Sequence, residues 1–261
     1  MKISLIITTF NRPDALDLVI KSVENQTYKP HDVIIADDGS DDETKNLIKK
    51  IQESSSLNII HSWHKNDGFR VARSRNQAVS LAKGDYLVLI DGDMVLDKYF
   101  LYDHLVNSEE KCFIQGSRVL LSEKLTRYFL ETKMFKASIF QSGLKNRKNI
   151  LRSVLLSRVF SNITRKIDGI KTCNMSFYKD DFYAVNGFNN NFEGWGREDT
   201  EFCVRLINSG LYRKNLKFAA VQFHLWHKLV SRKSLRENDL ILEKTIREKL
   251  TYCKSGVSEY V

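Results

Sequence analysis

The run Tyr86-Leu-Val-Leu-Ile90 is apolar without a break and stops at Asp91-Gly92-Asp93. Such a run fits a strand buried on both faces, as in a parallel sheet covered by helices on both sides. The segments before it alternate in the same sense. Lys2–Thr8 reads as a strand, and Asn11-Arg-Pro-Asp14 turns the chain into a helix that Pro opens and that runs to about Asn25. Asp32–Ala36 reads as a second strand, Asp37-Asp-Gly-Ser40 as an acceptor-rich turn, Glu43–Glu53 as a helix and Asn58–Trp63 as a strand. Gly68–Ala82 reads as a helix that Gly84 stops. Alternation of this kind implies crossover connections and a parallel α/β sheet. Beyond Gly116 the pattern loosens until Asp199–Ser209, where Phe202, Cys203, Leu206 and Ile207 share a helical face and Gly210 closes it.

Asp91 and Asp93 therefore sit at the carboxyl edge of the sheet, where open α/β folds bind ligands. Alternation on an extended backbone lets both face one ligand, and an acidic pair suits a hard divalent cation carrying phosphates. A second acidic pair closes Gly194-Trp195-Gly196-Arg197-Glu198-Asp199. Its glycines allow close backbone approach to a ligand, Trp195 offers a flat face for a sugar ring, and the carboxylates suit a general base beside a hydroxyl. At the start of a helix they lie about 100° apart, which suits two different roles; the same pair also stabilises a helix amino terminus. The two constellations together imply a metal-dependent transferase acting on a nucleotide-activated substrate.

A chain of 261 residues can bury a full core, and 42% hydrophobic with 28% charged residues excludes wholesale disorder. Met1–Thr9 is apolar but far too short to span a bilayer and lacks a signal-cleavage pattern, so it reads as the first strand. Cys112, Cys173, Cys203 and Cys253 have no paired metal spacing and read as scattered reduced thiols. The formal charge of +9 is concentrated: Lys124 to Lys171 holds twelve Lys or Arg against Glu131 and Asp168, with Leu, Ile and Phe interleaved. This basic segment fits an anionic membrane surface, an acidic glycan or nucleic acid, or a solvated helical face in an inserted subregion.

Five segments in order carry a resemblance: Ile6-Ile-Thr-Thr-Phe-Asn-Arg12, Ala36-Asp-Asp-Gly-Ser-Asp-Asp42, Arg75-Asn-Gln-Ala78, Gly84 through Asp93, and Cys173-Asn-Met-Ser176. They resemble family 2 glycosyltransferases of the GT-A fold. Gly187-Phe188 through Phe202 is similar to the acceptor-side segment of β-1,4-galactosyltransferases and of bacterial chondroitin-type polymerases. The resemblance runs from Lys2 to about His227. It implies a single GT-A domain over 1–261, with a Rossmann-like, mostly parallel sheet flanked by helices. The nucleotide-sugar half would be 1–110 and the acceptor half 111–222 with a helical basic insertion at 124–171, followed by a helical tail at 223–261.

The resemblance also distributes roles. Phe10 would cover uracil and Asp38 accept from base or ribose, with Thr8 and Arg12 at the same edge; Asp37 and Asp38 also fit a plain Asx-turn. Arg75 and Asn76 would lie near the donor's phosphate and sugar, while Arg70 and Arg73 are expected to face solvent or to be tied to surface carboxylates. Asp93 would ligate Mn²⁺ or Mg²⁺ and Asp91 touch ribose or the metal shell. Asp199 would be the base, and Glu198 and Trp195 would hold the acceptor. His224 and His227, three apart in Phe223-His-Leu-Trp-His227, are expected on one side of a helical turn as metal candidates, with the choice between them open. The implied partners are a UDP-sugar donor and a glycan or lipid-linked glycan acceptor, with no nucleic acid expected. The implied location is cytoplasmic, peripheral at the inner membrane face.

Two other classes fit less well. A sugar-nucleotide nucleotidyltransferase needs a glycine-rich phosphate loop where Thr8-Thr-Phe-Asn-Arg12 stands. A non-catalytic glycan- or nucleotide-sugar-binding module would not need both Asp93 and Asp199.

Overall fold

The computed structural model describes residues 1–228 and 232–261. Its first half follows the expected alternation: β1 (Ile3–Thr9), α1 (Pro13–Glu24), β2 (Asp32–Asp37), α2 (Asp42–Ser54), β3 (Ile59–Trp63), α3 (Val71–Ser80) and β4 (Tyr86–Asp91). β5 (Met94–Leu96), α4 (Phe100–Asn107), β6 (Cys112–Gln115), β7 (Val119–Leu121) and α5 (Glu123–Thr132) follow. After them come β8 (Leu144–Lys145), α6 (Val154–Phe160), β9 (Asn162–Thr164), β10 (Met175–Tyr178) and α7 (Lys179–Ala184). The chain closes with α8 (Glu198–Asn208), β11 (Tyr212–Asn215), β12 (Gln222–His224) and α9 (Leu235–Arg247).

The eight-stranded sheet has the order β3-β2-β1-β4-β10-β6-β11-β9. β3, β2, β1 and β4 are all parallel. β10 then runs antiparallel to both β4 and β6, and β9 antiparallel to β11. β11 is again parallel to β6, so four of the seven pairings are parallel and the expected mostly parallel sheet is formed, with the antiparallel pairings confined to β10 and β9. Alternate side chains of the parallel strands feed two separate cores, as a period of two demands. Ile3, Leu5, Ile7, Val33, Ile35, Val88 and Ile90 pack beneath α1 and α2, whereas Ile6, Ile34, Leu87 and Leu89 pack with α3, α7 and α8. Each such side chain contributes about 1.5–3 kcal/mol by leaving water.

α3 begins three residues later than Gly68, because Gly68 takes φ +77° and the Arg70 amide is bound by Asp38 rather than by a helical carbonyl. α8 ends as expected: Gly210 has φ +108° and the Leu211 amide reaches back to the Leu206 carbonyl.

A second sheet, β5-β12-β7-β8, was not foreseen. The stretch 124–171, expected as a helical insertion, carries α5 and α6 and is also tied into both sheets. That stretch donates β8 to the small sheet and β9 to the edge of the large one, and Leu125, Phe129 and Leu144 enter the main core. Two- and three-residue strands are too short to show a period in sequence. The segment after α8 is likewise more than a tail. α9 packs on α8 through Thr245, whose hydroxyl donates to Glu201 at 3.0 Å, and Val257 joins the core beneath α3.

Candidate active site

The carboxyl ends of β1 and β4 and the amino end of α8 meet around Arg75 of α3. This buried guanidinium donates to Thr8 Oγ1 at 3.3 Å, to Asp91 Oδ1 at 3.3 Å and to Asp199 Oδ1 at 2.9 Å, with Glu198 Oε1 at 3.7 Å. Burial alone would lower its pKa, but Asp199, Asp91 and Glu198 outweigh that and raise it. Arg75 is therefore the cationic hub of three acids, not a free clamp for a donor phosphate. Asn76 also departs from its expected role. It is fully buried, donates to the Phe188 carbonyl at 2.7 Å and to Asn190 Oδ1 at 2.8 Å, and accepts from the Phe188 amide at 2.9 Å. Helical neighbours point about 100° apart, so Arg75 faces the site while Asn76 faces the core.

Asp199 is gripped from two sides. Besides Arg75, the Thr172 hydroxyl donates to its Oδ1 at 2.7 Å and the Thr172 amide to its Oδ2 at 3.0 Å. A carboxylate offers about four lone pairs, so three donors orient it and leave one acceptor position. Its side chain is 21% exposed against 9% for Glu198. Thr172 carried no mark in the sequence beyond standing next to the Cys173-Asn-Met-Ser176 motif. That motif is structural: Asn174 donates to the carbonyls of Ser117 and Ala220, and its Oδ1 and Ser176 Oγ bracket the ring of buried His104. Burial pushes the His104 pKa down to about 4, so the ring is neutral.

Glu198 behaves differently from its neighbour. Burial, then the Asp199 charge, push its pKa up to about 8, and its Oε2 has no hydrogen-bond partner among the described residues. The loop that presents the pair needs unusual backbone: Gly194 at φ +69°, Gly196 at +108° and Arg197 at +77°. The two glycines adopt this region freely, while Arg197 does so at about 1–2 kcal/mol. Asn238 of α9 binds the carbonyls of Glu193 and Gly196 from below, at 3.0 and 2.9 Å. Phe177, Phe182 and Phe188 pack on Phe202 with ring centroids 4.4–5.5 Å apart, and the buried Glu201–Arg205 pair anchors the next turn of the helix. Glu198 and Asp199 also occupy the first turn of α8, where acids favour the helix dipole.

The small sheet assembles the third group. β12 pairs antiparallel with β5, setting His224 opposite Met94, and the Leu225 amide donates to the Asp93 carbonyl at 3.0 Å. His224 Nε2 lies 3.3 Å and His227 Nε2 3.4 Å from Asp93 Oδ2. One ligand atom from each of the three fits within a 4.8 Å span. The helical turn expected for the two histidines is not formed: His224 ends a strand and His227 reaches back from the segment after it, their rings 5.1 Å apart at 86°. The donor set fits a divalent cation of the Mn²⁺ class, which accepts imidazole and carboxylate. Asp93 Oδ1 is buried and unpartnered among the described residues, as an oxygen reserved for a ligand would be. Burial by itself would raise the Asp93 pKa, but His224, His227 and Arg12 overcome it and hold the group ionised, while burial, Asp93 and Asp199 raise Asp91 despite Arg75. The two acids of Asp91-Gly-Asp93 thus diverge, Asp91 toward Arg75 and Asp93 toward the histidines.

The remaining expected residues lie along the same edge. Phe10 is exposed at the end of β1, and Arg12 contacts Asp14 at 3.1 Å. Asp38 is buried, with His64 Nε2 3.2 Å from Oδ1 and the Arg70 amide 2.9 Å from Oδ2, so contact with a base or ribose would need His64 to yield. Asp37 closes the turn, accepting from the Ser40 amide at 2.8 Å and pairing with His61. Arg70 and Arg73 are tied to Asp67 and Arg70 also to Glu193, as expected. Asp91, His224, His227 and Trp195 line one cleft of about 1,020 Å³ with Arg118 and Trp226, two residues the sequence did not signal.

The model of the glycosyl transferase family 2 matches residues 4–170, and that of the N-terminal domain of galactosyltransferase matches residues 155–228. Chondroitin synthase of Pasteurella multocida is 26% identical over 226 residues, covering 80% of this chain and 23% of that protein. A UDP-Glc:α-D-GlcNAc-diphosphoundecaprenol β-1,3-glucosyltransferase of Escherichia coli is 30% identical over 140 residues, covering 54% of this chain and 51% of that one. The chain thus spans about a quarter to a half of the length of these relatives. Among solved structures, S. aureus TarS in complex with UDP superposes with a TM-score of 0.64 at 17% identity, over 95% of this chain and 68% of that chain, which supports the common fold. With a family match across residues 4–170 and the mixed α/β sheet that carries the site, the chain belongs to glycosyl transferase family 2.

Proposed function

We propose that the protein is an inverting, metal-dependent glycosyltransferase that moves a hexose or N-acetylhexosamine from a UDP-sugar to a hydroxyl of a glycan or lipid-linked glycan, in bacterial surface polysaccharide synthesis. The observation that carries this reading is the pairing of the Asp93–His224–His227 cluster with an Asp199 carboxylate that Arg75 and Thr172 hold in place. Names of similar proteins support it: a chondroitin synthase, a UDP-glucose-dependent transferase to a diphosphoundecaprenol-linked sugar, and TarS complexes with UDP and UDP-GlcNAc. Asp93, His224 and His227 would hold the cation, whose chemistry when bound is to neutralise charge on the diphosphate. Phe10 would stack on the base, with Thr8, Arg12, Asp38 and Asp91 along the same edge. Asp199 accepts the proton of the acceptor hydroxyl through its remaining lone pair. The acceptor oxygen bonds to the anomeric carbon, the bond from that carbon to the diphosphate oxygen breaks, and its electron pair leaves with UDP. One displacement of this kind inverts the anomeric centre. Trp195 and Glu198 would position the acceptor sugar.

A second reading rests on Glu198. A carboxyl with a pKa of about 8 matches a general base working near neutral pH better than an ordinary carboxylate does. Its lower exposure and its distance from any orienting donor other than Arg75 favour Asp199. UDP release measured by mass spectrometry across a panel of UDP-sugars, with and without chelator, tests the proposal. Metal-dependent release with one sugar is the expected result; no release with any of them would sink it.

Attachment to an anionic membrane surface belongs to the same reading. α6 presents Val154, Leu155, Val159 and Phe160 to solvent, Leu155 at 72% and Val159 at 68%, beside exposed Arg158, Arg165 and Lys166. Apolar side chains flanked by cations suit an interface of acyl chains under anionic headgroups. Among the described residues no helix is long and apolar enough to cross a membrane. Flotation with anionic vesicles should weaken steeply with salt, and Leu155→Asp should lower it about tenfold, the worth of one buried leucine. Equal binding to neutral vesicles, or no effect of Leu155→Asp, would remove this attachment.

A further inference from the structure

Beside the acceptor position lies a second cleft of about 490 Å³ that nothing in the transfer step uses. Arg118, Lys171, Arg213 and Lys217 all line it, against a single acid, Asp168. Among the described residues none of the four cations has a carboxylate within the 4.0 Å that defines an ion pair. Arg213 is the telling one. Only 6% exposed, it donates Nη1 to the Asp168 carbonyl at 2.8 Å, while its Nε is buried without a partner among the described residues. A buried guanidinium without an ion pair is costly, and burial lowers its pKa although the Asp168 charge works the other way. Gln115, which donates to the Gly169 carbonyl at 2.9 Å, leaves its Oε1 buried and, among the described residues, unpartnered; it lines the same cleft.

The cleft adjoins the reacting groups. Lys171 and Cys173 of its lining flank Thr172, the residue that grips Asp199, and Arg118 also lines the cleft holding Asp91 and the histidines. We infer that this cleft binds an anionic group of the acceptor glycan, a uronate carboxylate or a phosphate, on a sugar next to the one whose hydroxyl is glycosylated. Arg213 and Arg118 take the charge in the fork geometry that guanidinium offers to such oxygens, Lys171 and Lys217 add charge at the rim, and Gln115 accepts from a sugar hydroxyl. The inference rests on the glycosyltransfer reading and narrows its acceptor to a charged glycan.

The test uses the full chain with Mn²⁺ and UDP. Titration calorimetry compares three tetrasaccharides: one alternating glucuronate with N-acetylhexosamine, the same with its carboxylates reduced to alcohols, and the reduced form carrying a 6-phosphate. A charged saccharide should bind about tenfold or more tighter than the neutral one, as hydrogen bonds to charged groups allow; which charged form wins tells carboxylate from phosphate. Arg213→Gln should erase the preference, and Lys171→Gln with Lys217→Gln, at exposed positions that do not risk the fold, should reduce it severalfold, with UDP affinity unchanged in each. Equal binding of charged and neutral saccharides by the wild type, or a preference that survives in all variants, would overturn the inference. So would loss of UDP affinity matching loss of saccharide affinity, since the cleft would then serve the donor. If the wild type bound no UDP, the glycosyltransfer reading would fall, and the saccharide arm would still decide whether the cleft selects charge.

Discussion

Asp199→Asn is expected to slow sugar transfer about 10²–10⁴-fold, the usual cost of removing a general base, while UDP affinity stays unchanged. The structure adds a complication that fixes the controls. Asp199 accepts on both oxygens, from Arg75 and the Thr172 hydroxyl on Oδ1 and from the Thr172 amide on Oδ2. An asparagine must turn its NH₂ toward one of these donors, at a cost of about 1–3 kcal/mol. Transfer rate, UDP affinity and melting temperature therefore have to come from one preparation. Lost transfer with intact UDP binding supports the base. Lost UDP binding as well would mean that the Arg75 hub has collapsed, and near-normal transfer would move the base elsewhere.

Glu198→Gln completes that comparison. The folded Glu198 pKa of about 8 lies above its ordinary 4.5, so the folded state binds more protons than the unfolded one between those values. Stability from this group is full below pH 4.5 and is lost as pH rises through 8. Glutamine imitates the protonated form, so the variant should gain on the wild type in thermal melts from pH 5 to pH 9, and its defect should appear in acceptor binding. Abolished transfer in Glu198→Gln with retained transfer in Asp199→Asn would establish the second reading.

Asp93→Ala is expected to abolish cation-dependent UDP binding, lowering Mn²⁺ affinity by at least the about 10–100-fold that losing a supporting group costs. Because Asp93 Oδ2 is shared by His224 and His227 at 3.3 and 3.4 Å, His224→Ala and His227→Ala should each weaken the ion by about that factor. Metal titration followed by electron paramagnetic resonance reads all three directly. An unaltered Asp93→Ala titration would show that the cluster is not the metal site. If only one histidine matters, the other serves to orient Asp93.

The sequence alone determined the β/α alternation of the first half of the chain. Ile3–Thr9, Asp32–Asp37 and Tyr86–Asp91 are continuous or near-continuous apolar runs, and such runs name buried parallel strands because both faces must leave water. It also showed which residue types end or follow the last of those strands and open the helix after Gly196, so Asp91, Asp93, Glu198 and Asp199 were visible as chemistry before any contact was known. What it could not hold was pairing across distance. Asp93 and His224 meet only because β12, of three residues, docks antiparallel on β5, of three residues, and neither is long enough to show a period. Arg75 and Asn76 are adjacent and equally polar, yet one became the hub of the acids and the other a buried brace. The helix phase that separates them depends on which face of α3 the core of Ala72, Ala78 and Val79 claims. Tertiary structure likewise decided that Thr172 grips Asp199 and that Arg213 is buried without an ion pair among the described residues, because desolvation and hydrogen bonding arise only when distant segments exclude water from the same place.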